Sequence, residues 1–177
     1  MIKGEKGAAS ERRQHRPVPG SRIVIDAASK AIIEHLQQDG RRSDASIADS
    51  VGLTEEAVRQ RVTQLTDAGV MQIVAVTDPL QLGFARQAML GVIVEGDLKP
   101  VAEAIAAISE VDYVVITAGG FDILAEVVGE SDAHLLELVT SRIRPIPGVV
   151  TIHTFLYLEL EKQTYTWGVH DDRSGPS

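Results

Sequence analysis

The side chains best suited to chemistry form one polar face between Glu55 and Gln64, at spacings of three and four residues. Such spacing places side chains on the same side of a helix. They are Glu55, Glu56, Arg59, Gln60, Thr63 and Gln64. Arginine can bind guanine O6 and N7 through two hydrogen bonds, and glutamine can bind adenine N6 and N7 in the same way. The pattern therefore indicates a helix that reads base edges in the major groove of DNA.

Four further residues flank this face. Arg41, Arg42 and Arg61 are expected to meet phosphates, which position a protein on DNA but carry little sequence information. Thr54 is suited to cap the helix at its N-terminal end, the end expected to lie closest to the bases.

An alternative interpretation of the same charges stays open. Arg59 and Arg61 can pair with Glu55, Glu56 or Asp67 on a solvated helix face without touching DNA. The sequence alone does not choose between base contact and ion pairing for any single residue.

The helix needs a scaffold, and the flanking sequence predicts three helices in a helix-turn-helix arrangement. Capping residues and apolar spacing predict them over 26–39, 43–51 and 54–69, with Ser43 or Asp44 capping the second. Gly52 lies at the bend between the second and third helices. After them, Val70–Thr77 is rich in β-branched residues and predicts a short strand that packs as a wing or leads out of the domain.

The second half alternates strand and helix patterns in the order βαββαβ, which predicts a ferredoxin-like sheet. Strands are expected over 87–94, 111–117, 122–128 and 150–160, and helices over 98–108 and 132–143. One sheet face should carry both helices, and a second copy of the domain is the simplest cover for the other. The fold class is therefore α+β, with a winged helix-turn-helix domain followed by a ferredoxin-like domain.

Charge and composition support this two-domain division. Lys and Arg number 11 in residues 1–78 against 11 Asp and Glu, whereas residues 79–177 hold 6 and 14. We expect a disordered basic arm over 1–22, a DNA-binding domain over 23–78 and a linker over 79–84. A second domain over 85–163, whose uncovered sheet face suits oligomerisation, and a tail over 164–177 follow.

Several classes of function are disfavoured. The chain has no cysteine, which excludes disulfides and thiolate chemistry and fits the cytoplasm. Its five histidines lack metal-ligand spacing, no phosphate-loop pattern is present, and no serine stands out as a nucleophile. We therefore expect no metal, no cofactor, no catalytic residues and no membrane segment.

The chain resembles the Lrp/AsnC family of regulators over Ile25 to about Gln163. The segments that carry the resemblance include Leu36-Gln37-Gln38-Asp39-Gly40-Arg41, Val51-Gly52-Leu53-Thr54, Val58-Arg59-Gln60-Arg61-Val62, Asp78-Pro79, Gly119-Gly120-Phe121-Asp122 and Ile146-Pro147-Gly148-Val149. Three positions depart from the usual family pattern. Ser29 replaces an Asp, Ala118 replaces Thr or Ser, and Ile152 replaces a frequent Thr. The last two changes remove hydroxyls near the expected ligand pocket, so no particular effector is carried over.

The resemblance implies a second site for an amino acid or a related small molecule, at an interface between dimers. Its residues would be Ala118, Gly119, Gly120, Phe121, Asp122 and Thr154. Glycines let a ligand approach backbone N–H groups, and Asp122 could pair with an ammonium group. Alternatively, the two glycines form a turn between two strands without binding a ligand, and Asp122 caps that turn.

The function expected from these features is sequence-specific binding of double-stranded DNA by a transcriptional regulator. The resemblance implies a homodimer that assembles into tetramers or octamers and responds to an amino acid. Two alternatives remain, an enzyme on the same scaffold similar to the sirohaem decarboxylases and an architectural protein that compacts DNA.

Overall fold

The computed structural model describes residues 25–164. The predicted arm over 1–22 and the predicted tail from 165 onward lie outside the described residues. The chain separates into two compact units, with the boundary between Ala75 and Val76 and the second unit ending at Gln163. Within residues 25–164, no helix has the length and apolar character needed to cross a membrane.

The first unit contains three helices, each begun by a side chain that accepts a backbone hydrogen bond. Helix α1 spans Ala27–Gln38, α2 spans Asp44–Val51 and α3 spans Glu55–Asp67. Their N-caps are Asp26, Ser43 and Thr54. These caps satisfy N–H groups that otherwise have no partner in the first turn of a helix, so the predicted starts are explained by local chemistry.

The turn between α2 and α3 depends on Gly52. This residue adopts φ +70°, a left-handed backbone conformation. Glycine adopts it without steric strain, whereas residues with a Cβ atom are strained there. A small core then holds the three helices together, formed by Ile32, Ile47, Ala48 and Val58. The predicted helix-turn-helix is therefore present, with one face of α3 buried and the other left free.

The predicted wing strand over Val70–Thr77 is wrong. No strand is found there within the described residues, and Ile73, Val74 and Val76 are all more than half exposed. β-branched residues favour extended backbone, but a strand also needs a hydrogen-bonding partner, and the first unit supplies none among its described residues.

The second unit is a four-stranded antiparallel sheet with helices on one face, as the βαββαβ pattern predicts. Strand β1 spans Arg86–Val94, α4 Leu98–Ala106, β2 Val111–Ile116, β3 Ile123–Gly129, α5 Asp132–Glu137 and β4 Val149–Leu156. A short 3-10 helix, Pro79–Leu82, precedes them. The strand order is β2-β3-β1-β4, which places β2 and β4 at the edges.

The core of this unit lies between the sheet and its helices. Side chains alternate along each strand, so every second residue of β1 and β3 points into it. The innermost members include Leu90, Val92, Ile105, Ile123, Val127, Leu138 and Ile143. Helices cover only this face, here called the helix face. The opposite face, here called the open face, carries no helix or strand of the second unit.

Helix α5 differs from its prediction in its second half. The pattern predicts one helix to Ile143, but after Glu137 the chain widens into a π-helix over Leu138–Ile143. The backbone N–H of Arg144 donates to the carbonyl of Val139, five residues back, at 2.9 Å. Leu138 and Ile143 are both fully buried, so the wide turn still delivers two apolar side chains to the core.

Strand β4 is shorter than predicted. It ends at Leu156, and Leu158 and Leu160, which were expected to continue a half-buried strand, are 92% and 57% exposed. Val150 is exposed as well, because the pairing of β1 with β4 shifts register between Ile93 and Val94. Such a bulge changes which side chains face the core.

Candidate DNA-binding and effector sites

The polar face predicted on α3 lies entirely on the outside of the first unit. Val58 and Leu65 turn inward and are buried, while the six predicted reading residues are exposed. They are Glu55, Glu56, Arg59, Gln60, Thr63 and Gln64. Gln60 Nε2 donates to Glu56 Oε1 at 3.4 Å, and the Thr63 hydroxyl donates to the Arg59 carbonyl at 3.0 Å.

Arg59 is held by carboxylates from two helices. Its Nη2 lies 2.5 Å from Glu55 Oε1, and its Nη1 lies 3.1 Å from Glu56 Oε2. Its Nε faces Asp44 Oδ2 on α2 at 3.4 Å. The predicted pairing with Glu55 and Glu56 is thus present, and Asp44 is a partner that the sequence did not indicate.

Arg61 lies within the first unit and joins α3 to the start of α1. Its Nη1 donates to both carboxylate oxygens of Asp26 at 2.9 Å and to the Ser29 hydroxyl at 3.1 Å. The backbone N–H of Ser29 is the main cause that lowers the pKa of Asp26, and Arg61 contributes to it. Arg61, which the sequence predicts to contact phosphate, is therefore already hydrogen-bonded to Asp26 and Ser29 within the first unit.

Arg42 is similarly engaged between helices. It donates to the hydroxyls of Ser46 and Ser50 at 3.3 and 3.2 Å and lies 2.8 Å from His35 Nδ1. Arg41 is exposed, and its backbone N–H donates to the Asp39 carboxylate at 2.9 Å. Of the three arginines predicted to contact phosphate, Arg41 is the most accessible.

Thr54 uses its hydroxyl to fix the first turn of α3. The backbone N–H of Ala57 donates to Thr54 Oγ1 at 3.2 Å. This hydrogen bond satisfies one of the free N–H groups at the helix start and keeps the neighbouring side chains in position. The contact that the structure shows for the Thr54 hydroxyl is this capping hydrogen bond.

The predicted effector loop connects β2 with β3, and Asp122 anchors it to the end of β1. One Asp122 carboxylate oxygen accepts the Val94 N–H at 2.8 Å, and the Asp122 N–H donates to the Val92 carbonyl at 3.0 Å. Thr117 also donates its hydroxyl to the Phe121 carbonyl. Ala118, Gly119 and Gly120 are exposed, and a Cβ built at either glycine would meet no other atom within 4 Å.

Phe121 extends from this loop onto the open face. Its ring lies directly over Gly91, where a Cβ would come within 2.8 Å of the ring carbons. The ring centroid is 5.2 Å from that of His153 and 5.8 Å from that of Phe155 on β4. The effector loop and the open face are therefore in direct contact through one aromatic cluster.

Thr154 does not join the loop residues. It pairs with Leu90, whose side chain is buried in the core, so it lies on the helix face. There it lines an open cavity of ≈ 280 Å³ between α5 and β4. The sheet separates it from Phe121, and the six predicted effector residues do not form a single cluster within one protomer.

A polar cluster lies on the open face next to the aromatic one. Gln87 Nε2 donates to Glu126 Oε1 at 2.8 Å. Burial raises the pKa of Tyr157 to about 12, and the Glu126 carboxylate beside it acts in the same direction. The Tyr157 phenol therefore stays protonated at neutral pH.

Sequence reasoning missed several of these residues. A lone glycine inside a strand pattern is a known sign of close approach, and Gly91 carried that signal. Asp44 was considered only as a cap, because its nearness to Arg59 depends on the angle between two helices. The partners of Glu126 depend on strand register, for which the sequence held no sign.

Two family models match the sequence. The AsnC-type helix-turn-helix domain matches residues 25–66. A transcription-regulator C-terminal domain of the AsnC group, described as a dimeric alpha+beta barrel, matches residues 84–170. The two matches coincide with the two structural units in the described part of the chain.

Similar proteins carry the same two parts. An uncharacterized HTH-type transcriptional regulator of Pyrococcus furiosus is 32% identical over 144 residues, covering 80% of this chain and 97% of the relative. The HTH-type transcriptional regulator FL11 of Pyrococcus horikoshii is 32% identical over 148 residues, covering 81% and 95%.

Solved structures share the fold. Escherichia coli AsnC matches with a TM-score of 0.72 at 23% identity, covering 80% of this chain and 97% of AsnC. A transcriptional regulator of Neisseria meningitidis in complex with L-Met also matches with a TM-score of 0.72, at 22% identity, covering 80% and 95%. The α+β fold class predicted from the sequence is confirmed.

Proposed function

The chain belongs to the Lrp/AsnC family of helix-turn-helix transcriptional regulators, and from that premise we propose which of its residues read DNA and which sense an effector. The outward face of α3 enters the major groove and reads bases through Arg59, Gln60 and Gln64. Arg41 contacts phosphate beside it. The protein acts in the cytoplasm as a regulator and not as an enzyme.

One observation carries the DNA-binding assignment. The outward side of α3 presents six polar side chains in one row, and a capped first turn and a buried inner side fix its orientation. Residues at the start of such a helix approach base edges most closely in helix-turn-helix complexes. Arginine and glutamine in this row have the donor and acceptor geometry that distinguishes guanine and adenine.

The proposed effector site is the loop from Ala118 to Asp122, and the ligand class is an amino acid. The Neisseria meningitidis regulator binds L-Met, which supports this class. The loop presents exposed backbone at Gly119 and Gly120, next to an Asp122 carboxylate with one oxygen already bonded. Thr154 belongs to this site only if a second protomer brings it near.

The proposed dimer surface is the open face of the sheet. The C-terminal family model is described as dimeric, and this face carries Phe155 and Tyr113, which are 48% and 51% exposed. A second copy would cover these rings, as isologous dimers do. Further assembly into tetramers or octamers is part of the same proposal, with the Gly119–Gly120 loop between dimers.

The test is a gel-shift and footprint with the DNA upstream of the protein's own gene, repeated with random duplex of equal length across a salt series. We expect preference for the upstream DNA and protection at regular helical intervals. Equal affinity for both duplexes at physiological salt would contradict the assignment of α3 as a sequence reader.

The effector proposal has its own measurement. Pooled amino acids are expected to change the affinity for the upstream DNA or the sedimentation of the free protein. Gly120→Val places a branched side chain where the structure has open space, so it should remove that response. An unchanged response in this variant would place the effector elsewhere.

A further inference from the structure

The three-helix part of the first unit carries more acidic than basic residues, although residues 1–24 of the same chain add six Lys and Arg against two Asp and Glu. Residues 25–75 contain five Lys and Arg against eight Asp and Glu, a net charge of −3. Non-specific affinity for DNA comes mainly from cations that replace counterions at phosphates. The positions of the acidic residues around Arg59 therefore affect how strongly this arginine is attracted to phosphate.

The acids surround Arg59 in a defined order. Glu55 and Glu56 bind its two terminal nitrogens from the same helix, and their side chains are 53% and 65% exposed. Asp44 faces Nε from α2 at 3.4 Å, and its side chain is only 31% exposed. The two glutamates are thus the more exposed partners, although Glu56 Oε1 also accepts a hydrogen bond from Gln60 Nε2 at 3.4 Å, while Asp44 lies in the first turn of a neighbouring helix.

We propose that Asp44 is a specificity-determining residue, which holds Arg59 so that the guanidinium engages a guanine and not a phosphate. The inference rests on the proposed function, because it concerns the same reading helix. Asp44 itself is a positioning residue that acts through Arg59.

The first part of the argument concerns phosphate. Arg59 already has three carboxylate partners, so a single phosphate would replace ion pairs that exist in the free protein. Such an exchange yields little net attraction, and the counterion released at the phosphate is offset by the carboxylates left behind. Arg59 therefore adds little to binding of random DNA.

The second part concerns guanine. The guanidinium is a planar fork, and the ion pair of Asp44 with Nε at 3.4 Å leaves the two terminal nitrogens available for bidentate hydrogen bonds. When Glu55 and Glu56 rotate into solvent, Asp44 can remain at Nε and the two terminal nitrogens can face guanine O6 and N7. The interaction with Asp44 is thus compatible with base contact, and Asp44 orients the fork toward it.

The experiment measures binding of the full chain to the upstream duplex and to random duplex over a salt series. The variant is Asp44→Asn. Asp49→Asn is its matched control, since Asp49 is an exposed acid on the same helix and its side chain makes no hydrogen bond or ion pair within residues 25–164. Asp44→Glu keeps the charge and tests for rescue, and thermal melting confirms that each variant is folded.

In Asp44→Asn we expect binding to random DNA to rise about three- to tenfold, with a salt slope steeper by up to about 0.9, because one more cation meets phosphate. The ratio of upstream to random affinity should fall by a similar factor. Asp44→Glu should stay near the wild-type ratio. Asp49→Asn should show a smaller rise that is equal on both duplexes.

Three results would overturn the inference. The first is an equal effect of Asp44→Asn and Asp49→Asn, and the second is a parallel loss on both duplexes in folded Asp44→Asn. The third is a wild-type chain that shows no preference for the upstream duplex, because it binds neither duplex or binds both equally, and this result would overturn the proposed function as well. The first two results, obtained beside a wild-type chain that prefers the upstream duplex, would overturn the inference alone.

Discussion

The contact between Gly91 and Phe121 gives a prediction that can be worked from the coordinates. In Gly91→Ala, the new Cβ would lie 2.8, 2.8 and 2.9 Å from three ring carbons, whereas ordinary contact begins at 3.4 Å. The ring must therefore move by about 0.6 Å. The rings of His153 and Phe155 lie beside it and limit the directions in which it can move.

Two opposing effects set the size of the change. Overpacking of this kind costs about 1–3 kcal/mol. The backbone at Gly91 does not have a positive φ, so alanine fits its conformation and restricts the unfolded chain, which gains about 0.4–1 kcal/mol. We expect Gly91→Ala to lower the free energy of unfolding by about 0.5–2 kcal/mol.

Urea unfolding at equal protomer concentration measures this loss, since dimerisation would otherwise shift the midpoint. Gly119→Ala is the matched control, because its Cβ meets no atom within 4 Å and its φ is not positive, and it should not destabilise. In the Phe121→Ala background the overpacking disappears, so Gly91→Ala should stabilise by about 0.4–1 kcal/mol, which gives a coupling energy of about 1–3 kcal/mol. Equal effects of Gly91→Ala and Gly119→Ala, or additivity with Phe121→Ala, would refute the reasoning.

Three further predictions concern the first unit. Thr54→Ala removes the cap of α3 and should lower the free energy of unfolding by about 1 kcal/mol, while Thr54→Ser should retain it in a thermal melt. The pKa of Asp26 is lowered in the folded chain, so its stabilisation is complete above an unfolded value of about 3.9 and disappears as pH falls through the folded value. Acid unfolding of Asp26→Asn should therefore show a flatter limb than wild type, and identical limbs would contradict the lowered pKa, whose causes are the hydrogen bonds from Ser29 and, after them, Arg61. Arg59→Ala should lose about 1–3 kcal/mol of discrimination at one base position, and a uniform loss across a panel of operator variants would make Arg59 a phosphate contact.

Local signals explain why the helices of the first unit could be predicted. Asp26 and Thr54 each accept a backbone hydrogen bond within three residues, so the helix starts depend on nothing distant. Val70–Thr77 failed for the opposite reason, since a strand needs a partner and propensity alone supplies none. The local sequence is therefore sufficient to predict helix α3, but it is insufficient to predict whether Val70–Thr77 forms a strand.

The candidate sites show the same limit. That the polar residues of α3 face outward follows from helical spacing, which is a property of the sequence. The sequence predicts that Thr154 belongs to the effector site, but its pairing with Leu90 places its side chain on the helix face. A change of register by one residue would move that side chain to the open face. The Asp44–Arg59 contact depends on how two helices cross, which the spacing within either helix does not determine.

The π-helix after α5 has a consequence for sequence alignment. A turn closed by a bond from Arg144 to Val139 contains one residue more than a regular turn, so the segment behaves as a one-residue insertion within a helix. Relatives with a regular helix here should show a single-residue gap between positions 138 and 143. An alignment that places this gap in the loop at Pro145 instead would shift Arg142 by one position. The residue aligned with Arg142 would then be the wrong one to compare as the partner of Glu110.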